Sequence, residues 1–168
     1  VDKGKVLTFE QKSTFNKILE SKHNSISFIA PTSYGKSELI LEIISRDHEV
    51  DKIAIIVPTK SLINQVYNDF KKQETLHRKI IIHDQNYKPE DDHRILAIIT
   101  QERGLRLIEK GITFDLVFID EAHELMRFDF SPNVSNRSLL LTRFIRLSCL
   151  KNSELKLYYL SPLIIDSN

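Results

Sequence analysis

The sequence has few of the features that mark secreted, membrane-embedded or strongly nucleic-acid-binding proteins. Its 168 residues include one cysteine, Cys149, so no internal disulfide can form and a reducing, cytoplasmic location is expected. No apolar run approaches the roughly 20 residues of a membrane span, so no membrane partner is expected. The formal net charge is only +1, which gives no support for nucleic-acid binding but does not exclude it, because a few local donors can bind phosphates.

Other patterns are missing as well. The chain contains no repeat, no low-complexity tract, no linker between domains and no Cys/His spacing of the zinc-binding kind. Residues 1–168 are therefore expected to form one domain, and the start at Val1 favours a piece of a longer chain. The apolar neighbours of Cys149 favour a buried structural thiol over a nucleophile.

Short apolar runs alternate with helical patterns along the chain. The runs are nearly continuous in apolar residues, which favours strands buried on both faces. The pattern predicts an α/β fold with a mostly parallel sheet and helices on both of its faces. The predicted strands are Ser25–Ala30, Ile53–Val57, Lys79–His83, Ile95–Thr100, Phe114–Ile119 and Lys156–Leu160. The predicted helices are Phe9–Ser21, Lys36–Ser45, Ser61–Lys71, Gln101–Glu109 (with Gly111 as its stop) and Ser138–Leu147, and the predicted polar loops are Asp84–Arg94 and Arg127–Arg137.

A phosphate-binding loop is predicted directly after the first strand. The segment Ala30-Pro31-Thr32-Ser33-Tyr34-Gly35-Lys36-Ser37 matches the Walker A pattern, except that Ala30 replaces the first glycine. Gly35 can adopt the tight turn, after which backbone N–H groups and the start of a helix surround phosphate oxygens. Lys36 is expected to reach the β- and γ-phosphates, and the Ser37 hydroxyl to coordinate magnesium. The alternative is a chance match to a short pattern.

Paired carboxylates follow the fifth predicted strand. In open parallel sheets the carboxyl ends of strands line the ligand crevice, so Asp120 is expected near the phosphate loop, where it can hold magnesium. Glu121 is positioned to orient or activate the water that attacks the γ-phosphate. The alternative for an isolated acidic pair is a solvated helix N-terminus. His123, taken alone, is more often a surface or hydrogen-bonded histidine.

The order of these motifs resembles that of a known family. Asp120-Glu121-Ala122-His123 spells the DEAH box, and the chain from Gln11 to Leu163 resembles the first RecA-like domain of superfamily-two DEAD/DEAH helicases. Alanine is common in that family where this chain has Ala30. The resemblance implies a RecA-like P-loop fold, ATP and Mg²⁺ as cofactors, DNA or RNA as partner, and His123 among the nucleotide-site residues.

Two short segments resemble further nucleotide-site motifs. Phe9-Glu10-Gln11 resembles the Q motif, whose glutamine recognises the adenine edge, and the alternative for Gln11 is a surface residue at a helix start. Ser161-Pro162-Leu163 occupies the place of motif III, Ser-Ala-Thr, which links hydrolysis to strand separation. Only Ser161 is retained, so coupling through this motif is expected to differ, and a strand-end turn without function is the alternative.

Two other segments resemble motifs that contact the nucleic-acid backbone. Pro58-Thr59-Lys60-Ser61-Leu62-Ile63-Asn64-Gln65 resembles motif Ia, in which Pro58, Thr59 and Ser61 are the expected contacts. The alternative here is a capped strand-to-helix turn. Thr100-Gln101-Glu102-Arg103 resembles motif Ic, with Gln101 where proline is frequent, and Thr100 and Gln101 are its expected contacts. The glycine pair often found between these motifs is absent from His83–Tyr87.

These motifs together predict the ATP-binding motor domain of a nucleic-acid-dependent ATPase. Helicases of this class place ATP between two RecA-like domains, so a second domain is an expected partner, and this chain alone is expected to bind ATP weakly and hydrolyse it poorly. Two alternatives stay open. One is a nucleotide-responsive regulatory module without translocation, and the other is the motor part of a restriction or antiviral nuclease system.

Overall fold

The computed structural model describes residues 13–14, 16–18, 20–21, 24–30, 35–47, 49–72, 77–90, 94–125 and 136–162. Within these ranges it contains six strands, one at each apolar run that the sequence predicts. They are β1 (Ser25–Ala30), β2 (Lys52–Ile56), β3 (Lys79–Ile81), β4 (Ile95–Ile99), β5 (Leu116–Ile119) and β6 (Lys156–Pro162). The last strand is longer than predicted, so Ser161 and Pro162 lie within it and not after it. Ser161 pairs in register with Ile29 of β1.

The helices lie between these strands. They are α1 (Lys36–Arg46), α2 (Lys60–Lys71), α3 (Gln101–Glu109), the short α4 (Ala122–Leu125) and α5 (Asn136–Lys151), and a 3₁₀ turn spans Asp84–Asn86. Within the predicted first helix, residues 13–14 and 16–18 are helical. Gly111 follows α3 with a positive φ of 101°, in agreement with its predicted role as a stop. None of the helices in the described ranges is long and apolar enough to cross a membrane.

Two loop predictions are corrected by the structure. The segment Asp84–Arg94 begins with the 3₁₀ turn, whose first residue, Asp84, is buried. The last helix begins at Asn136, so Arg137 belongs to its first turn and not to a loop, and it ends at Lys151, four residues beyond the prediction. Polar residues at a helix start resemble a loop in sequence, because first-turn N–H groups need no partners within the helix.

All strand pairs in the sheet are parallel, in the order β1-β6-β5-β2-β4-β3. The predicted fold class is therefore confirmed. The last strand in the chain, β6, pairs with both β1 and β5 and separates them. This reversal of strand order creates a crevice at the carboxyl edge of the sheet, where α/β proteins bind ligands.

The sheet is covered on both faces, as predicted. Alternate residues of β2 pack into two different hydrophobic cores. Ile53 and Ile55 belong to the first core, and Ala54 and Ile56 belong to the second. The first core contains the apolar residues of α1 and α2, and the second contains those of α3 and α5. The two helix layers therefore lie on opposite faces, and both begin at the carboxyl edge.

Helices α3 and α5 pack closely through one glycine. A Cβ atom on Gly104 would lie 2.7 Å from Cε2 of Phe144, which is completely buried. The Phe144 ring also packs against Phe114 with a centroid separation of 5.9 Å. This contact fixes the position of α5 on α3.

Cys149 is exposed on α5, contrary to the prediction of a buried thiol. The buried face of α5 is formed by Ser138, Leu141, Phe144 and Ser148. A residue adjacent to Ser148 is rotated by about 100° around the helix and points away from the core. The apolar neighbours in sequence therefore do not report the burial of Cys149, and Leu150 is itself 73% exposed.

Candidate functional site

The first component of the site is the start of α1, immediately after Gly35. Gly35 caps the helix with φ 85° and ψ 42°, a left-handed conformation that a residue with a Cβ adopts only at a cost. Lys36 and Ser37 form the first helical positions, where N–H groups have no partner within the helix. The remaining predicted loop residues, Pro31-Thr32-Ser33-Tyr34, lie outside the described residues, as does Gln11.

The second component is the acidic pair at the end of β5. The Nζ atom of Lys36 lies 2.6 Å from Oε1 of Glu121 and 3.2 Å from Oδ1 of Asp120. These three side chains are only 13%, 23% and 16% exposed, respectively. Glu121 has a positive φ of 50°, and its backbone N–H donates to Oδ1 of Asp120 at 2.9 Å. Two motifs separated by 84 residues are thus in direct contact.

The electrostatics of this cluster follow from its burial. Burial would lower the pKa of Lys36, but the hydrogen bond to Glu121 and the charge of Asp120 outweigh it, so the pKa is raised. Burial raises the pKa of Asp120, although the Lys36 ammonium acts in the opposite direction. A desolvated carboxylate of this kind needs a neighbouring cation to stay ionised, and Lys36 provides one here. A hard divalent cation would fit the same position, because a carboxylate and the Ser37 hydroxyl are oxygen donors that Mg²⁺ prefers.

The predicted nucleotide-site and coupling residues His123 and Ser161 are in contact. The backbone N–H of His123 donates to Oγ of Ser161 at 3.2 Å, which connects the second residue after the acidic pair to the end of β6. The buried Nδ1 atom of His123 lies 3.5 Å from Oε2 of Glu121. Nδ1 makes no hydrogen bond within the described part of the chain.

A separate cleft of about 620 Å³ opens at the carboxyl ends of β2, β3 and β4. Four of the five residues predicted to contact nucleic acid line it, namely Pro58, Thr59, Ser61 and Thr100. Thr59 caps α2, and its Oγ1 lies 2.9 Å from Oγ of Ser61, so both hydroxyls lie together at the cleft. This cleft occupies the same edge of the sheet as Lys36 and Asp120.

The fifth predicted contact, Gln101, lies elsewhere. It is the first residue of α3 and is completely buried, and its Nε2 atom donates to Oε1 of Glu102 at 3.2 Å. Its Oε1 atom has no hydrogen-bond partner among the residues that the structure describes. The side chain of Gln101 is therefore not presented to a ligand in the cleft.

Most of the charge in the cleft comes from residues that the sequence analysis did not select. The charged and titratable lining residues are Lys60, His83, Glu102, Arg103, Arg106 and Arg137. A signal existed for Arg103 and Arg106, since residues three apart lie on one face of a helix. No signal existed for Arg137, because its segment was interpreted as a loop. The net charge of +1 thus conceals a local concentration of cations.

Asp84 orients part of this cationic set. Its carboxylate, 7% exposed, accepts from Nε and Nη2 of Arg106 at 3.0 and 3.1 Å, and its backbone carbonyl accepts from Lys110 at 2.6 Å. The hydrogen bonds from Arg106 hold the pKa of Asp84 below its ordinary value despite the burial. Arg103 is also anchored, because its Nη1 donates to the carbonyl of Ile82 at 2.7 Å.

Solved structures with the same fold include several helicase and ATPase domains. A hypothetical ATP-dependent RNA helicase from Sulfolobus tokodaii matches with a TM-score of 0.65 and 20% identity, over 98% of this chain and 48% of that one. The Hef helicase domain of Pyrococcus furiosus matches with a TM-score of 0.64 and 16% identity, over 96% of this chain and 33% of that one. The SWI2/SNF2 ATPase core of Sulfolobus solfataricus, solved with double-stranded DNA, matches with a TM-score of 0.63 and 17% identity, over 94% of this chain and 32% of that one. At these identities the likeness shows the fold alone, and this chain spans at most about half of each of these three.

Two comparisons of the sequence were made, one with curated proteins and one with models of protein families. No curated protein sequence matches the chain. A family model described as "DEAD/DEAH box helicase" matches residues 8–156, which include Lys36, the acidic pair and the lining of the cleft. Since the match covers most of the chain, the protein belongs to the DEAD/DEAH box helicase family.

Proposed function

We propose that this domain is the ATP-binding motor of a nucleic-acid-dependent ATPase, which couples ATP hydrolysis to movement on, or remodelling of, DNA or RNA. The observation that carries the proposal is the contact of Lys36 with Asp120 and Glu121 at the carboxyl edge of the sheet. A cationic cleft lies at the same edge. The two sites suit a triphosphate and a phosphodiester backbone.

In the nucleotide site, each residue of the cluster has one task. Bound ATP·Mg²⁺ supplies the phosphoryl group that is transferred to water and the metal charge that stabilises it. Lys36 would bind the β- and γ-phosphate oxygens, and Ser37 and Asp120 would hold the metal. Glu121 would orient and deprotonate the attacking water, with His123 beside its second oxygen.

The ion pairs seen here imply an exchange of partners on binding. Lys36 forms ion pairs with both carboxylates in the structure. Lys36 would pair with phosphate oxygens and Asp120 with the metal, so both of these buried charges would keep a counter-charge. Leaving one of them unpaired would cost several kcal/mol, which favours coupled binding of nucleotide and metal.

The rest of the nucleotide site is proposed from the sequence motifs. Gln11 would hydrogen-bond the adenine edge, and the segment Pro31-Thr32-Ser33-Tyr34 would surround the phosphates. A second RecA-like domain would complete the far side of the site with arginines. The similar solved chains are at least about twice as long as this one, which leaves room for such a domain.

The cleft would bind the strand through its backbone. Thr59, Ser61 and Thr100 supply neutral donors, and the surrounding lysine and arginine side chains supply positive charge. These groups recognise phosphates and not bases, so binding is expected to tolerate many sequences. The hydrogen bond from His123 to Ser161 provides a physical link through which the nucleotide site would affect β6.

The proposal is tested by phosphate release from ATP, with and without single strands, by a protein that contains both this domain and the proposed second RecA-like domain. We expect oligothymidylate or oligouridylate to raise the rate, and fluorescence anisotropy to show that either strand binds more weakly as salt increases. Absence of both binding and stimulation, for DNA and for RNA, would contradict the proposal and favour a nucleotide-responsive regulatory module.

A further inference from the structure

Arg137 differs from the other arginines of the cleft because its guanidinium has no hydrogen-bond or ion-pair partner among the described residues. Arg106 is held in a two-point ion pair by Asp84, and Arg103 donates to a backbone carbonyl. Arg137 is exposed, and it forms no hydrogen bond or ion pair with another residue in the described ranges. Its guanidinium is therefore available to a ligand in the cleft.

The position of Arg137 is fixed although its side chain is free. It is the second residue of α5, and the adjacent Ser138 is buried. Three residues further on, Leu141 is 2% exposed, and Phe144 packs against Gly104 of α3. The first turn of α5 is thus held at the rim of the cleft by buried contacts of the same helix.

Local helix energetics do not explain an arginine here. The N-terminus of a helix carries partial positive charge, so a cation in the first turn is unfavourable by a few tenths of a kcal/mol. The four charged residues of α5 are all cations, namely Arg137, Arg143, Arg146 and Lys151, and of these only Arg137 lines the cleft. A stabilising role within α5 is therefore a poor explanation for this residue.

Lys60 is the counterpart of Arg137 in the other helix layer. It begins α2, which packs on one face of the sheet, whereas α5 packs on the opposite face. Both residues are exposed and both line the cleft. A polyanion that lies along the carboxyl edge would thus meet one cation from each layer.

We propose that Arg137 binds a phosphate of the nucleic-acid strand and, with Lys60, holds the backbone from both faces of the sheet. This inference rests on the proposed function of the cleft and adds a contact that lies outside the recognised motifs. A planar guanidinium suits the task because it can donate two parallel hydrogen bonds to one phosphate.

The experiment measures the salt dependence of strand binding by fluorescence anisotropy. The probe is fluorescein-labelled oligothymidylate of about 20 nucleotides, longer than the site size of one binding domain. Arg137→Gln is compared with the parent chain and with Arg143→Gln, an equal charge change on the outer face of the same helix. We expect Arg137→Gln to weaken binding roughly two- to fivefold at low salt, as for one exposed ion contact. We also expect it to reduce the slope of log K against log salt by about 0.7.

Controls separate a phosphate contact from a structural effect. Arg143→Gln should match the parent, and Arg137→Lys should keep the parental slope. Arg137→Met, which retains the apolar stem, should reproduce the slope change if Arg137→Gln disturbs folding. The melting temperature of Arg137→Gln should not fall, because a cation is removed from a helix N-terminus.

Two outcomes would overturn the inference in distinguishable ways. If Lys60→Gln reduces the slope but Arg137→Gln and Arg137→Met leave it unchanged, Arg137 does not bind phosphate, while the proposed function survives. If the parent chain binds no strand even at low salt, the proposed function of the cleft is lost, and this inference with it.

Discussion

The two halves of the carboxyl edge use charge in opposite ways. At the ends of β1, β5 and β6, Lys36, Asp120 and Glu121 are mostly buried and pair with one another. At the ends of β2, β3 and β4, the side chains of Lys60 and Arg137 are exposed and face an open cleft. The only acid among the residues that line the cleft in the described ranges is Glu102.

The difference matches the ligand that each half is proposed to take. A compact triphosphate with its metal can be enclosed, and enclosed charges interact strongly because the surroundings are less polar than water. A long backbone must enter and leave along an open surface, where each charge contributes little and many contacts act together. A single substitution in the first half should therefore abolish nucleotide binding or hydrolysis, whereas a single substitution in the second half should only weaken strand binding.

The largest effect is expected for Lys36→Ala. The variant removes the cation that would bind the phosphates and leaves two carboxylates without their partner. Titration calorimetry with ATP·Mg²⁺ should detect no binding, whereas Lys60→Ala should bind nucleotide like the parent. Unchanged ATP affinity in Lys36→Ala would show that the nucleotide site is wrongly assigned.

Glu121→Gln should separate binding from hydrolysis. The amide cannot accept a proton from water, so phosphate release should fall by roughly 100-fold or more while ATP still binds. Glu102→Gln serves as the matched control, because it changes a carboxylate in the other half of the edge. Equal hydrolysis by Glu121→Gln and the parent would remove Glu121 from the reaction.

Asp84→Asn should alter the pH dependence of stability. Arg106 lowers the pKa of Asp84 in the folded protein, so the ionised form stabilises the fold above about pH 4, the unfolded value. This contribution, about 1–3 kcal/mol for hydrogen bonds to a charged group, is lost as the pH falls through the lower folded pKa.

Urea unfolding between neutral and acidic pH checks this expectation. The parent should be more stable than Asp84→Asn at neutral pH, and the difference should shrink below about pH 4. Asp69→Asn, a change of an exposed acid on α2, should show no such convergence. A constant difference over the whole range would mean that the ionised Asp84–Arg106 pair does not contribute.

The smallest effect is expected for Gly104→Ala. The added methyl would lie 2.7 Å from Phe144, and overpacking of this kind typically destabilises by about 1–3 kcal/mol. Replacing glycine by alanine in a helix returns up to about 1 kcal/mol, so a net loss of roughly 1 kcal/mol is expected. Thermal unfolding measures it. An unchanged or raised melting temperature would show that α5 can shift on α3, which would also weaken the fixed placement of Arg137.

Local patterns were sufficient for the elements and for the chemical groups of the proposed nucleotide site. The six apolar runs are strands because buried parallel strands need apolar residues on both faces. Gly35 could be assigned to the turn before α1, since few other residues tolerate its φ of 85°. The conclusion that Lys36 meets Asp120 required only the general rule that carboxyl ends of parallel strands share one edge.

Burial of individual side chains could not be predicted in the same way. Cys149 is exposed among apolar neighbours, Asp84 is buried in a polar segment, and Gln101 is buried in a motif expected to face a ligand. Each outcome depends on which helix face meets the core, and one residue in either direction rotates a side chain by about 100°.

The amino-acid sequence by itself determined the places of the strands, the start of α1 and the identity of the lysine, serine and acidic residues of the proposed nucleotide site, because these follow from neighbouring residues. Only the tertiary structure decided that β6 separates β1 from β5, and that Lys60 and Arg137 reach one cleft from opposite helix layers. Such placements depend on strand pairing and helix packing between residues far apart in the chain, which no local pattern specifies.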